Sequence, residues 1–317
     1  MSSTEWDRSL VLDAVRVTEV AAIAAWALVG GGDEKAADQA AVDAMRNGLN
    51  DLDIDGLIVI GEGERDEAPM LFIGEKVGKG KGPRVDIALD PLEGTTLTAK
   101  AMANALAVMA WAPAGTMLQA PDTYMDKIAV GPGYKAGVVD LDKSPADNVK
   151  ALAKAKGCKP EQITACVLDR PRHADIIASL RGVGCRVHLI TDGDVAGVIN
   201  TTDPETGIDI YIGQGGAPEG VLAAAALKCV GGQMQGRLVF RTADEKARAT
   251  RLGVTDFDKK YDLHEMVRGP AIFAATGVTD GMLLDGVKFR DGQVHTHTLV
   301  MDSASGTVRE VRMKRAS

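Results

Sequence analysis

The chain has 317 residues, 45% of them hydrophobic and 25% charged, with a formal net charge of −8 and only 4% aromatics. This composition suits a soluble globular protein of two domains or one large α/β unit. It excludes the basic, aromatic-rich footprint of a nucleic-acid-binding surface, and the longest apolar run, Val20–Gly30, falls short of the roughly 20 residues a membrane span needs.

The opening MSSTEWDRSL carries two acids against one Arg, the wrong chemistry for a secretory leader, so a cytoplasmic protein with no membrane partner is expected. From Asp7 to Leu28 the apolar positions Leu10, Val11, Ala14, Val17, Ala21, Ala24 and Leu28 recur every three or four residues, which predicts one long amphipathic helix. GGGD stops it. Asp33 is placed to cap a second helix with Ala37, Ala41, Val42, Met45 and Leu49 on one face and Asp38 in its first or second turn. IDGLIVIGEGE reads as a strand over 57–60 that breaks at Gly61, and RVDIALD as a strand over 85–89 that breaks at Asp90. ALAVMAWAP and MDKIAVGP supply two further strands, so the first half is expected to be a sheet backed by two helices.

After Leu141–Asp147 the rhythm changes. SPADNVKALAKAKG reads as helix, and then ITACVLD, CRVHLIT and IDIYIG read as strands separated by the helices RHADIIASLRGVG and DVAGVI and followed by APEGVLAAAALKCV. Alternation of this kind predicts right-handed crossovers and a largely parallel sheet. The expectation is therefore an α/β protein, α+β in its first half (1–145) and doubly wound in its second (146–317). The terminal VREVRMKRAS reads as a last strand with a solvated basic face. Cys158, Cys166, Cys185 and Cys229 show no C-x-x-C spacing, which points to buried reduced thiols rather than a zinc or disulfide framework.

Two phosphate-loop candidates fail. GEKVGKGKG lacks the P-loop spacing and its Ser or Thr, and VGPGYKAG does not lead into a helix. The acids are more informative. Glu62 and Glu64 follow one strand and Asp90 and Glu93 another, and strand ends are where ligand clefts form in α/β sheets. Carboxylates crowded there repel one another, and a hard divalent cation such as Mg2+ or Mn2+ removes the conflict. Each acid alone has a plainer explanation: Asp90 as a Pro-turn residue, Glu62 as a solvated loop residue, Asp38 at a helix N-terminus. DPLEGTT differs in combining two acids, a φ-fixing Pro, a Gly that admits close approach and a hydroxyl just beyond.

With IGEGERDEAPML (60–71), DIALDPLEGTT (86–96), NALAVMA (104–110), PDTYMDKIAVGPG (121–133), RPRH (170–173), DGDVA (192–196), GGAPEG (215–220) and ATGVTDG (275–281), the chain resembles the class II fructose-1,6-bisphosphatases. That family lies within the lithium-sensitive, metal-dependent sugar and inositol phosphatases. The resemblance implies a layered sugar-phosphatase fold of alternating helix and sheet layers, with a metal-binding domain over 1–145, a sugar-binding domain over 146–317 and the site in a cleft between them. It implies two or more Mn2+ or Mg2+ ions, one held by Asp38 and Glu62 and another by Asp90, Glu93 and Glu219. Glu93, Gly94 and Thr95 are implied to hold the phosphate, and Thr95 with Asp66 to orient and deprotonate the attacking water. Tyr124, Arg170, Pro171, Arg172, Asp192, Gly193, Asp194 and Gly216 match the sugar-binding segments. Arg170 and Arg172 read equally as helix-start surface charges, and Asp192 and Asp194 as N-caps. Glu34 stands where the family often has Lys, with Lys35 next to it.

The activity so implied is hydrolysis of the 1-phosphate of fructose 1,6-bisphosphate to fructose 6-phosphate, in gluconeogenesis or the Calvin cycle, by a homo-oligomer (dimer or tetramer). The alternatives are the same chemistry on sedoheptulose 1,7-bisphosphate or an inositol phosphate, or a sugar-phosphate-binding regulator without turnover.

Overall fold

The computed structural model describes residues 10–63 and 70–316. In chain order its elements are α1 (Leu10–Trp26), α2 (Glu34–Asn50), β1 (Asp55–Ile60), β2 (Lys76–Val77), β3 (Arg84–Glu93), α3 (Thr95–Ala99), β4 (Leu106–Pro113) and β5 (Tyr124–Val130). There follow α4 (Pro145–Lys156), β6 (Thr164–Leu168), α5 (Ala174–Gly182), β7 (Arg186–Ile190), α6 (Asp194–Ile199), β8 (Ile210–Gly216), α7 (Ala217–Val230) and β9 (Gln233–Val239). The last are α8 (Ala243–Arg251), β10 (Lys260–Asp262), α9 (Leu263–Met266), β11 (Ile272–Gly277), β12 (Lys288–Arg290), β13 (Gln293–Asp302) and β14 (Thr307–Ala316).

The chain divides into two compact units, one of Met1–Leu118 with Val267–Ser317 and the other of Gln119–Met266. The change of rhythm at Leu141–Asp147 falls inside the second unit. The first unit holds an eight-stranded sheet, β12-β13-β11-β4-β3-β1-β2, with β14 also paired to β13. β1 runs parallel to β3 and the other pairs run antiparallel. The strands beyond Met266 thus return to the first sheet, where β11 adds to β4.

Helix α1 buries Leu10, Val11, Ala14, Val15, Val17, Ala21, Ala22 and Ala25, and α2 buries Ala37, Ala41, Val42, Met45 and Leu49. They share one apolar core with Ile58, Ile87, Leu89, Met109, Trp111 and Val300 of the sheet. The small side chains let the helices lie close to the strands, and burial of the larger ones contributes about 1.5–3 kcal/mol each. A polar seam crosses this core. Thr276 Oγ1 lies 2.8 Å from both Thr18 Oγ1 and Thr298 Oγ1, and Thr18 donates to the Ala14 and Val15 carbonyls. It pins α1 to β11 and β13 in one register. The basic end of the chain is β14, mostly exposed along its length.

The second unit holds a six-stranded sheet, β10-β9-β5-β8-β6-β7. β6 is parallel to β7 and β8, whereas β5 is antiparallel to both β8 and β9. The alternating strands β6, β7, β8 and β9 therefore all point one way, but β5 lies between β8 and β9 and β10 runs antiparallel to β9, so the sheet is mixed rather than largely parallel as the sequence pattern predicts. The strand from MDKIAVGP departs from expectation. Instead of joining the first sheet, β5 enters the second between β8 and β9 and separates two strands that α7 connects. Both of its edges are paired there and Met125, Ile128, Ala129 and Val130 are buried, an arrangement that local hydropathy does not distinguish from a place in the first sheet. None of the four cysteines forms a disulfide. Among the described residues no helix is long and apolar enough to cross a membrane.

Because Thr276 is fully buried and its hydroxyl serves two partners, Thr276→Val should lower unfolding stability by about 1–3 kcal/mol, read from the urea midpoint. Thr276→Ser keeps the hydroxyl and should recover most of that loss.

Candidate functional site

The acidic cluster is built from the end of β3. At Asp90–Glu93 the β3/β4 register slips: Asp90 pairs with Val108 and Glu93 with Leu106, which leaves an extra residue on β3. Pro91 cannot donate to a ladder and is tolerated in such a bulge. Asp90 Oδ1 accepts from the Leu92 N–H at 3.0 Å, closing the kink that brings Asp90 and Glu93 to the same end of the strand. Their carboxylate oxygens approach within 4.8 Å. Glu93 is buried and Asp90 half-buried. Gly94 then takes φ 90°, ψ 55°, and a Cβ there would sit 2.8 Å from Leu97 Cδ1. This left-handed residue turns strand into helix and places Thr95 at the first position of α3.

Asp38 arrives from α2. Asp33 caps that helix, as expected, by accepting from the Ala36 N–H at 3.0 Å. Glu34 and Lys35 lie exposed in the first turn, and Asp38 follows on a half-buried face. Its carboxyl is pushed up to about 6, first by burial and then by the negative charge of Asp90. Glu62 follows β1, which runs parallel to β3 with Ile60 paired to Ala88, so Glu62 and Asp90 each lie two residues beyond that pair. The Glu62 N–H donates to the Leu71 carbonyl at 3.0 Å, and a Cβ on Gly61 would lie 2.0 Å from that same oxygen, so the chain closes tightly there. Asp66 lies outside the described residues.

The structure thus gathers Asp90 and Glu93, sets Asp38 within electrostatic reach of Asp90, and brings Glu62 to the neighbouring strand end. The donors are all carboxylate oxygens, the set preferred by Mg2+ or Mn2+ over softer metals.

The second unit has its own assembly. Glu219 stands in the first turn of α7, where the positive end of the helix favours a carboxylate, and Gly216 is the N-cap. A Cβ on Gly216 would lie 1.8 Å from Glu219 Oε2, and one on Gly215 1.8 Å from Asp194 Oδ2. The glycine pair thus leaves room for two carboxylates folded against it, and a side chain at either position would displace one. Asp194 is the first residue of α6, but Gly193 occupies the cap, so neither Asp192 nor Asp194 serves as the N-cap. The Asp194 carboxylate is buried and accepts from Lys127 Nζ at 2.5 Å and the Tyr211 hydroxyl at 3.3 Å. Lys127 also donates to the Gly216 carbonyl at 2.9 Å. Asp192 accepts from the Gly193 N–H at 3.1 Å.

Pro171 and Arg172 lie exposed in a single turn of 3-10 helix that Arg170, half-buried, precedes. Arg172 donates through Nε and Nη2 to the Gln214 carbonyl, at 3.1 and 2.7 Å, and its guanidinium stands 4.9 Å from the centre of the Tyr124 ring. Tyr124 opens β5 directly opposite Gly216. The structure therefore brings Tyr124, Arg172 and Gly216 to one end of the second sheet.

Two contributors escape sequence reasoning. Buried His173 bridges β6 and β8: Nδ1 is 2.7 Å from the Leu168 carbonyl and Nε2 accepts from the Gln214 N–H at 2.9 Å. Burial holds its pKa below the usual histidine value, so the ring is neutral with the proton on Nδ1. Lys127 had a signal, since a Lys inside an apolar strand is rarely buried without a partner.

The chain matches the family model described as bacterial fructose-1,6-bisphosphatase, glpX-encoded, over residues 8–315. It is 46% identical over 319 residues to the fructose-1,6-bisphosphatase 1 class 2 of Escherichia coli K12, covering 96% of this chain and 94% of that protein. The same figures hold for the fructose-1,6-bisphosphatase class 2 of Shigella flexneri. Among solved structures, the extragenic suppressor protein suhB of Bartonella henselae is similar over 62% of this chain and 75% of its own, at 13% identity and a TM-score of 0.36, too loose a likeness to carry an argument.

A carboxyl whose folded pKa exceeds its unfolded value binds more protons when folded. Asp38 therefore favours folding most below its unfolded value of 3.8, and that contribution disappears as pH rises through about 6. In excess chelator at neutral pH, Asp38→Asn should raise the stability of the metal-free protein by about 1–3 kcal/mol, and the gain should vanish near pH 4. Thermal melts at the two pH values check this.

Proposed function

The chain belongs to the family of glpX-encoded bacterial fructose-1,6-bisphosphatases, and on that footing we propose that it hydrolyses the 1-phosphate of fructose 1,6-bisphosphate to fructose 6-phosphate and inorganic phosphate. One observation supports this above all. The carboxylates of Asp90 and Glu93 lie together at one end of the first unit's sheet, and burial together with the charge of Asp90 opposes the ionisation of Asp38.

In this proposal Asp38 and Glu62 hold one Mn2+ or Mg2+, and Asp90, Glu93 and Glu219 hold another. When bound, such ions supply Lewis acidity and positive charge to the phosphoryl group. Glu93, Gly94 and Thr95 seat the 1-phosphate. The Thr95 hydroxyl and the Asp66 carboxylate orient the attacking water, and Asp66 takes its proton. Tyr124, Arg170, Pro171, Arg172, Asp192, Gly193 and Gly216 receive the rest of the sugar bisphosphate. Asp194 joins that segment through Lys127, whose ammonium ties it to the Gly216 carbonyl. The enzyme works as a cytoplasmic homo-oligomer on a small-molecule substrate.

A phosphate-release assay on fructose 1,6-bisphosphate with and without manganese tests the whole proposal; no release with the ion present refutes it. Asp90→Asn should weaken manganese binding and lower turnover by at least about 100-fold, since a neutral amide is a poorer ligand than a carboxylate. Thr95→Ala should keep manganese affinity and lose about 10²–10⁴ in kcat. Loss of metal affinity in the threonine variant would reassign its role.

A further inference from the structure

Tyr124 has a second cationic neighbour. The Arg241 guanidinium stands 4.0 Å from the centre of its ring, closer than Arg172 at 4.9 Å. Arg241 lies between β9 and α8, Arg172 in the turn after β6, and Tyr124 at the start of β5, so three remote segments converge. They place two full positive charges around one half-buried ring, in a chain whose formal net charge is −8.

Among the described residues Arg172 makes no ion pair, and Arg241 is paired only loosely, with Glu245. Arg172 is anchored by the Gln214 carbonyl, a neutral acceptor that uses one edge of the guanidinium and leaves its other N–H groups directed elsewhere. Arg241 Nε comes no closer than 3.8 Å to Glu245 Oε1. The other oxygen of Glu245 accepts the backbone N–H groups of Arg241 and Thr242, a capping box that fixes the start of α8 and with it the root of the Arg241 side chain. The ring face attracts both guanidiniums without cancelling their charge. Two like charges held together in this way are suited to a dianion, and two planar forks suit a phosphate more than a carboxylate or a hydroxyl. Tyr124 faces Gly216 across the β5/β8 ladder, so no side chain from that partner position crosses this end of the sheet.

We propose that Arg241 is a specificity-determining residue that binds, together with Arg172, the second and non-reacting phosphate of the substrate. The proposal rests on the phosphatase function given above. It explains how a bisphosphate is told from a monophosphate: the enzyme reads the far phosphate with two guanidiniums that Tyr124 and the α8 cap hold in place. The product fructose 6-phosphate keeps that phosphate and should depend on Arg241 equally.

The test compares fructose 1,6-bisphosphate with fructose 1-phosphate, which lacks the second phosphate, in the intact protein and in Arg241→Gln and Arg241→Lys. Arg241→Gln should raise KM for the bisphosphate and the inhibition constant of fructose 6-phosphate by about 10- to 100-fold, leaving kcat within about twofold, since a charge-assisted contact is lost from binding alone. KM for fructose 1-phosphate and inhibition by inorganic phosphate should not move. Arg241→Lys keeps the charge without the fork and should recover part of the loss. Equal losses on both sugars would mean that Arg241 only braces the fold and would overturn the proposal, as would an unchanged inhibition constant for fructose 6-phosphate. If the unsubstituted protein prefers the bisphosphate and Arg241→Gln keeps that preference, Arg241 alone is excluded. If the unsubstituted protein releases no phosphate from the bisphosphate, the proposed function falls and this inference with it.

Discussion

Mutual repulsion among carboxylates at the end of the first sheet is the constraint on which the rest depends. Asp90 and Glu93 would point to opposite sides of a regular strand, and the bulge after Pro91 prevents this. Asp38 is added from a helix whose other face is locked into the core by Ala37, Ala41 and Met45. Carboxylates crowded in this way stay together only because packing elsewhere enforces it. That packing is supplied by the shared core of α1, α2 and the sheet, together with the threonine seam.

The second unit treats charge in the opposite way. Lys127 and Asp194 are both buried, but each satisfies the other, and Tyr211 and the Gly216 carbonyl take up further hydrogen-bonding capacity. A buried pair of this kind is costly to break and contributes definition more than net stability. Here it fixes the backbone from which Glu219 and α7 begin. His173, kept neutral by burial, ties the same strand end to the turn bearing Arg172. Rigid supports of this sort hold side chains that meet a ligand to the small tolerance that binding demands.

Much of this was readable along the chain. Helical periodicity located α1 and α2, the Asp33 cap is the observed one, and APEGVLAAAALKCV coincides with α7. DPLEGTT marked the strand end where acids, proline and glycine coincide, because bulge and turn chemistry is written in local residue types. β5 could not be placed in the same way. Its run of apolar residues is compatible with either sheet, and only its ladders to β8 and β9 decide between them. The roles of Asp192 and Asp194 were similarly open, since an acid near a helix start fits a cap as well as a ligand. A glycine in the cap removes the capping role from both, and a lysine holds Asp194.

By itself the sequence determined most of the helices and strands as far as α7 and the terminal strand, the family to which the chain belongs, and the acid-rich motif at the end of β3. These depend on short-range periodicity and on motifs whose members are neighbours in the chain. The tertiary structure alone decided that β5 enters the second sheet, that Lys127 neutralises Asp194, and that Arg241 joins Arg172 at Tyr124. Each is a pairing of residues far apart in sequence, and nothing in the local chemistry of one partner specifies the other until strand order and register bring the two together.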